Sequence, residues 1–178
     1  MHFTKVTMPV AFVLVAGLSC SWAAERLFDS AGVRSGFTMR PANDRFVQTE
    51  LFGELNLPWK WRWGEHWCLS PQLEASAGWL NRQHADAFIG SLGPQLRLRR
   101  NTCALELVGG LNLTYLSRST FGDWDLGSSL QFTSHVGLRW APGRHWEVGY
   151  RLQHLSNGGF ARPNPGLNLH MFLIGYRF

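Results

Sequence analysis

Past its first two dozen positions, the 178-residue chain has no apolar run of the roughly 18 residues that mark a spanning helix, so a helical membrane protein is excluded. It has three cysteines, no Cys-x-x-Cys and no His/Cys cluster at zinc spacing, which supports neither a disulfide scaffold nor a metal site. Charge is sparse as well, at 16% of residues with a formal net of +5. That basic excess is compatible with phosphate-bearing lipids, but it is too small and dispersed to argue for nucleic acid. No low-complexity segment occurs, and no repeat beyond an alternation of residue types.

What is present begins with a leader. Lys5 stands in a short start without acids, an apolar stretch from Met8 to Leu18 follows, and Ser21-Trp22-Ala23 supplies small residues for cleavage. That is the layout of a signal peptide, 1–23, too short in its apolar part to cross a bilayer. Residues 24–178 then form one exported domain. Its two cysteines, Cys68 and Cys103, reach a compartment where thiols can pair. Their parity puts Cys68 on the charged strand face and Cys103 on the apolar one, so no disulfide is expected between them.

Alternation organises the rest. From Val47 to Leu57 the odd positions are mostly apolar, while Gln48, Glu50, Glu54 and Asn56 hold even ones, the period-two pattern of a strand with two unlike faces. Turn residues divide the pattern into eight segments: 29–40, 45–63, 67–81, 87–100, 102–116, 127–141, 144–157 and 167–178. Tight connections at 64–66, 101–102 and 142–144 contrast with longer ones near 117–126 and 158–166, as in a barrel with short turns on the periplasmic side.

Alternation alone does not say which face of a barrel is apolar, but the charges do. Glu50, Glu54, Lys60, Arg62, Glu74, Arg97, Arg99, Glu106, Arg139, Glu147 and Arg151 share one strand face, where a small soluble barrel would need its apolar core. In a membrane barrel they become a lumen of paired ions. Trp59, Trp61, Trp63, Trp67, Trp140 and Trp146 gather near one edge, and Trp79, Tyr115 and Trp124 near the other, like two interfacial girdles. The ending from Phe172 to Phe178 alternates up to a terminal aromatic, resembling the signal read by barrel-assembly machinery. The expected fold class is therefore all-β, an eight-stranded antiparallel transmembrane β-barrel of the outer membrane.

The chemistry-bearing string is His154-Leu155-Ser156-Asn157-Gly158-Gly159, followed by Pro163-Asn164-Pro165-Gly166-Leu167-Asn168. His154 and Ser156 stand two apart, so both leave one strand face, and an imidazole there can take the proton of an attacking hydroxyl. They share parity with Trp146, Val148, Tyr150 and Leu152, which puts them on the lipid side near the outer edge. His135 and His170 lack such a partner and read as structural or interfacial. Arg40, Arg45, Arg82, Arg118 and Arg162 fall at outer loops, where they meet either lipid phosphates or water.

The string His154-x-Ser156-Asn157 with a following Pro-Asn and Gly loop resembles the motif of the PagL-type lipid A 3-O-deacylases. The resemblance is specific over about residues 144–178, and the eight-strand layout extends it to the mature chain. It implies an outer-membrane serine esterase that removes an ester-linked acyl chain of lipid A in lipopolysaccharide, without metal or organic cofactor. His154 would be the base and Ser156 the nucleophile, with Asn157 and the Gly159 amide stabilising the oxyanion. The acidic member of the family's triad falls on Asn168, whose parity lets it reach His154 from the neighbouring strand. An amide there holds the imidazole without supplying a full charge. Two other functions fit the same residues: a noncatalytic structural or adhesion barrel, and an outer-membrane phospholipase or general esterase. The sequence leaves oligomeric state open, a homodimer included.

Overall fold

The computed structural model describes residues 19–20, 27–41 and 44–178. Apart from Ser19–Cys20, whose backbone pairs with Trp61 and Arg62, the expected leader lies outside the described residues. Eight long strands follow: β1 (Phe28–Thr38), β2 (Phe46–Asn56), β3 (Trp67–Arg82), β4 (Ala85–Arg100), β5 (Leu105–Leu116), β6 (Leu130–Trp140), β7 (Trp146–Ser156) and β8 (Leu167–Arg177). Each pairs antiparallel with its sequence neighbours, and β8 pairs with β1. The sheet closes on itself, which removes the exposed edges a membrane would not tolerate.

The expected segments match these strands within a few residues, with one interruption. Segment 45–63 stops as a strand at Asn56 and resumes only as Trp61–Trp63, because Pro58 lacks the N–H that a ladder needs. The outer connections are also less uniform than expected, since β3 and β4 meet in a two-residue turn at Gln83-His84.

Leu51, Leu92, Leu107, Leu111, Val136, Leu138, Leu152 and Ile174 are exposed on the outside of the barrel, an arrangement suited to lipid rather than water. Trp63, Trp67, Trp140 and Trp146 are exposed beside the short turns, and Trp79 and Tyr115 toward the long loops. Trp124 departs from the expected girdle. It turns inward, packing on Phe46 at 6.2 Å between ring centres, with the Arg40 guanidinium 4.0 Å above its ring.

Inside, the charged face becomes an ion network, to which Arg34 contributes. Glu74 accepts from Arg34 at 3.0 Å, Arg151 at 3.0 Å and Asn112 at 2.9 Å. Glu50 accepts from Arg34 at 2.7 Å and Ser76 at 2.9 Å. Glu54 is shared by Ser30, Gln95, Arg97 and Arg139. Burying such groups is tolerable because each charge keeps several partners. Arg62 is exposed, on the short Trp61–Trp63 strand that extends the sheet, and Arg99 only half-buried.

The ions do not fill the whole lumen. Toward the long loops, Phe46, Leu80, Ile89, Leu116, Leu155, Leu169 and Met171 form an apolar plug, capped by Phe121 and Leu126 from the loop between β5 and β6. The strand ends present apolar side chains inward, and folding that loop over them removes the apolar surface from water.

Cys68 is buried on β3, whereas Cys103 is exposed in the turn ahead of β5 rather than on a strand face, and both are free. Unreduced protein should therefore carry no mass deficit of two hydrogens, and a maleimide applied to folded protein should modify Cys103 and spare Cys68. A deficit assigned to a Cys68–Cys103 link would contradict the register.

Candidate functional site

The site grows from the last outward residues of β7. Along that strand Trp146, Val148, Leu152 and His154 are exposed, while Glu147, Arg151, Gln153 and Leu155 are buried, so His154 stands on the lipid-facing side. Ser156 is half-buried on the same side, at the strand's outer end. Two residues of strand separate them by about 6.6 Å along the chain.

On β8, Asn168 lies directly opposite His154 in the register and also faces outward. Its Oδ1 is 2.8 Å from His154 Nδ1. With Nδ1–H donating to that oxygen, Nε2 keeps its lone pair for a proton. The sequence parity of Asn168 thus becomes a contact. On the other flank, Gly166 packs under the ring: a Cβ there would sit 3.0 Å from His154 Cε1 and 3.3 Å from the Leu155 carbonyl. Its φ of +63° is also one that side chains disfavour. Sequence reasoning quoted Gly166 without giving it a role, although the Pro-Gly ahead of a strand was the available signal.

The loop 157–166 is held from within. Asn157 is buried, its Nδ2 donating to the Leu126 carbonyl at 3.0 Å and the Pro163 carbonyl at 3.1 Å, while its Oδ1 accepts the Gly159 N–H at 2.9 Å. Both side-chain hydrogens of Asn157 and the Gly159 N–H, given to the oxyanion by the sequence reading, are thus engaged here by carbonyls of two loops and by Asn157 Oδ1. Asn164 is exposed and accepts the Asn157 N–H through Oδ1 at 3.2 Å. Its own amide nitrogen has no partner among the described residues, a side chain to which sequence reasoning had given no role.

A second loop braces the first. Gly127, at φ +77°, approaches so closely that a Cβ would lie 2.0 Å from the Pro163 carbonyl oxygen. Only glycine fits there, and the contact ties the β5–β6 loop to the loop beside Ser156.

Below the pair runs an outward groove of about 410 Å³ lined by Ser134, Val136, Leu152, His154, Asn168 and neighbouring backbone. His135 points inward to Gln95, and His170 Nδ1 shares a hydrogen bond of 2.6 Å with Tyr150 OH, so neither joins the pair. Arg82 is not available to lipid phosphates. It is buried at the lumen mouth and bonds Asp44, Asp123 and the Phe121 carbonyl, and it holds both aspartates below the usual carboxylate range. Arg40 is likewise engaged by Asp44 at 2.8 Å, whereas Arg118 and Arg162 are exposed.

A family model described as lipid A 3-O-deacylase (PagL) matches residues 49–177. The lipid A deacylase PagL of Bordetella bronchiseptica is 27% identical over 183 aligned positions, spanning all of both chains. That of Pseudomonas aeruginosa is 40% identical over 63 residues, covering 34% of this chain and 35% of that protein. Among solved structures, the outer membrane enzyme PagL superposes with a TM-score of 0.71 at 21% identity, covering 82% of this chain and 97% of that one. Neisserial surface protein A shares the barrel more loosely, with a TM-score of 0.52 at 11% identity over 85% of this chain and 96% of its own. A family match over most of the chain and an alignment over its whole length lead to one conclusion: the chain belongs to the PagL family of lipid A 3-O-deacylases.

Proposed function

We propose that the protein is an outer-membrane esterase that hydrolyses the 3-O-linked acyl ester of lipid A, with Ser156 as nucleophile, His154 as base and Asn168 as the group that orients His154. The observation that carries this reading is the His154 Nδ1 to Asn168 Oδ1 contact of 2.8 Å on the lipid-facing surface, two residues from Ser156. With Nδ1 held by that oxygen, Nε2 keeps its lone pair for a proton.

Lipid A enters sideways from the outer leaflet, its acyl chain lying along the apolar part of the groove at Val136 and Leu152. Ser156 Oγ attacks the ester carbonyl as His154 Nε2 takes the hydroxyl proton. The carbonyl oxygen gains a negative charge, for which the Asn164 amide is the available donor, while Asn157 and Gly159 keep the loop in shape. His154 then returns the proton to the sugar oxygen, which leaves with the bonding pair. A water, deprotonated by His154, cleaves the acyl-Ser156 ester and releases a fatty acid. Holding the nucleophile at the level of the substrate's ester supplies much of the rate.

Asn168→Ala should lower deacylation about 10- to 100-fold, the worth of one hydrogen bond to a group that becomes charged, while barrel assembly persists. Asn168→Glu should keep or raise the rate, because a carboxylate also stabilises the imidazolium. Rates of fatty acid release from lipid A by purified variants check this. A wild-type rate for Asn168→Ala would remove Asn168 from the mechanism.

A further inference from the structure

Arg82 stands where β3 ends, buried, and the proposed reaction makes no use of it. Arg34, Arg139 and Arg151 pair with strand acids inside the lumen, whereas Arg82 grips two loops. Its Nε donates to Asp44 at 3.1 Å and its Nη2 to the same carboxylate, which holds the β1–β2 loop. Its Nη1 donates to Asp123 at 2.6 Å and to the Phe121 carbonyl, which holds the β5–β6 loop. The planar fork of a guanidinium lets one side chain serve both directions.

What Arg82 grips leads toward Ser156. Thr120–Phe121 pairs with Trp124–Asp125 in a small hairpin, and the next residue, Leu126, donates its N–H to the Ser119 carbonyl at 2.9 Å. The Leu126 carbonyl accepts the Asn157 side-chain amide at 3.0 Å, and Asn157 follows Ser156 in the chain. From the guanidinium to Asn157, each link is a hydrogen bond or a few residues of that hairpin. Without the guanidinium charge, Asp44 and Asp123 become two carboxylates facing each other across the loops, where like charges repel. The Phe121 carbonyl also loses its donor.

Resting on the esterase reading, we infer that Arg82 is a positioning residue for the reaction at Ser156. It touches neither Ser156 nor His154. It fixes the β5–β6 loop, which fixes Asn157 and with it the outer end of β7 that carries the nucleophile. The groove at Val136 and Leu152 and the contact of His154 with Asn168 belong to strands and do not depend on that loop. Losing Arg82 therefore disturbs the placement of Ser156 and leaves substrate binding in place.

The test is steady-state hydrolysis of lipid A in detergent micelles by the full mature chain, with the folded fraction of each sample read from unheated gel mobility. Arg82→Gln should lower kcat about ten- to a hundredfold at nearly unchanged KM, the range expected when a reacting group is displaced by about 1 Å. Arg82→Lys should recover part of that loss, because an ammonium still separates the two aspartates but does not grip all three groups. Coupling is the signature. Asn157→Ala removes the link through which Arg82 acts, so adding Arg82→Gln to it should lower kcat by no more than about twofold. An arginine with only a structural role would reduce the folded fraction and leave kcat per folded molecule unchanged. A wild-type kcat for folded Arg82→Gln, or losses that multiply in the double variant, would overturn the inference alone. Should Arg82→Gln fail to insert, the same cycle run with Arg82→Lys decides between these outcomes. If wild-type protein leaves lipid A intact, the esterase reading falls and this inference falls with it.

Discussion

Ser156→Ala is expected to reduce deacylation by on the order of 10⁴-fold or more, with His154→Ala falling nearly as far and the double variant no further. The two side chains act as one unit: without the base the hydroxyl is a poor nucleophile, and without the hydroxyl the base has no proton to take. Non-additivity is therefore the signature, more than the size of either loss. The fold should not change, because both residues face outward and neither touches the ion network or the apolar plug. Initial rates on purified lipid A, together with the mobility of unheated samples in detergent gels, separate a catalytic loss from a folding loss. A Ser156→Ala protein with near wild-type rates would return His154 and Ser156 to the role of ordinary interfacial residues.

Glu74→Ala is expected to cost about 3–5 kcal/mol of stability, the usual penalty for removing one partner of a buried ion pair. Arg34 and Arg151 are both fully buried and both bond Glu74, as does Asn112. Removing the carboxylate leaves two guanidiniums facing one remaining acid, Glu50, which already bonds Arg34 and Ser76. Glu74→Gln preserves the volume and removes only the charge, so it should recover part of the loss. The urea midpoint of refolding into vesicles measures both. Equal midpoints for wild type and Glu74→Ala would mean that water reaches and solvates those arginines.

Much of this architecture was legible in the residues, and the part that was not has a common cause. Strand faces follow from a period of two, so Glu50, Glu74 and Arg151 could be assigned inward and His154, Ser156 and Asn168 outward before any coordinates. The contact of Asn168 with His154 was implied by the resemblance to the family motif, and parity on neighbouring strands allowed it. Loops carry no such period. Arg82, at the end of β3, resembles a solvated arginine until Asp44 and Asp123 arrive from two other loops. Trp124 resembles a girdle residue until Phe46 and Arg40 close around it. Asn157 follows Ser156 in the chain, yet the carbonyl of Leu126, 31 positions away, claims its amide. Each of these depends on a partner that chain spacing does not identify, and together they set the shape of the loop beside Ser156.

The most direct test of the central claim is the mass spectrum of lipid A from outer membranes containing the wild-type protein, compared with membranes containing an equal amount of folded Ser156→Ala. The account predicts species lighter by one ester-linked acyl chain, lost from the 3 position, with the wild type alone, and the corresponding free fatty acid in the same sample. Identical lipid A from both membranes, or the same shortened species from both, would contradict it.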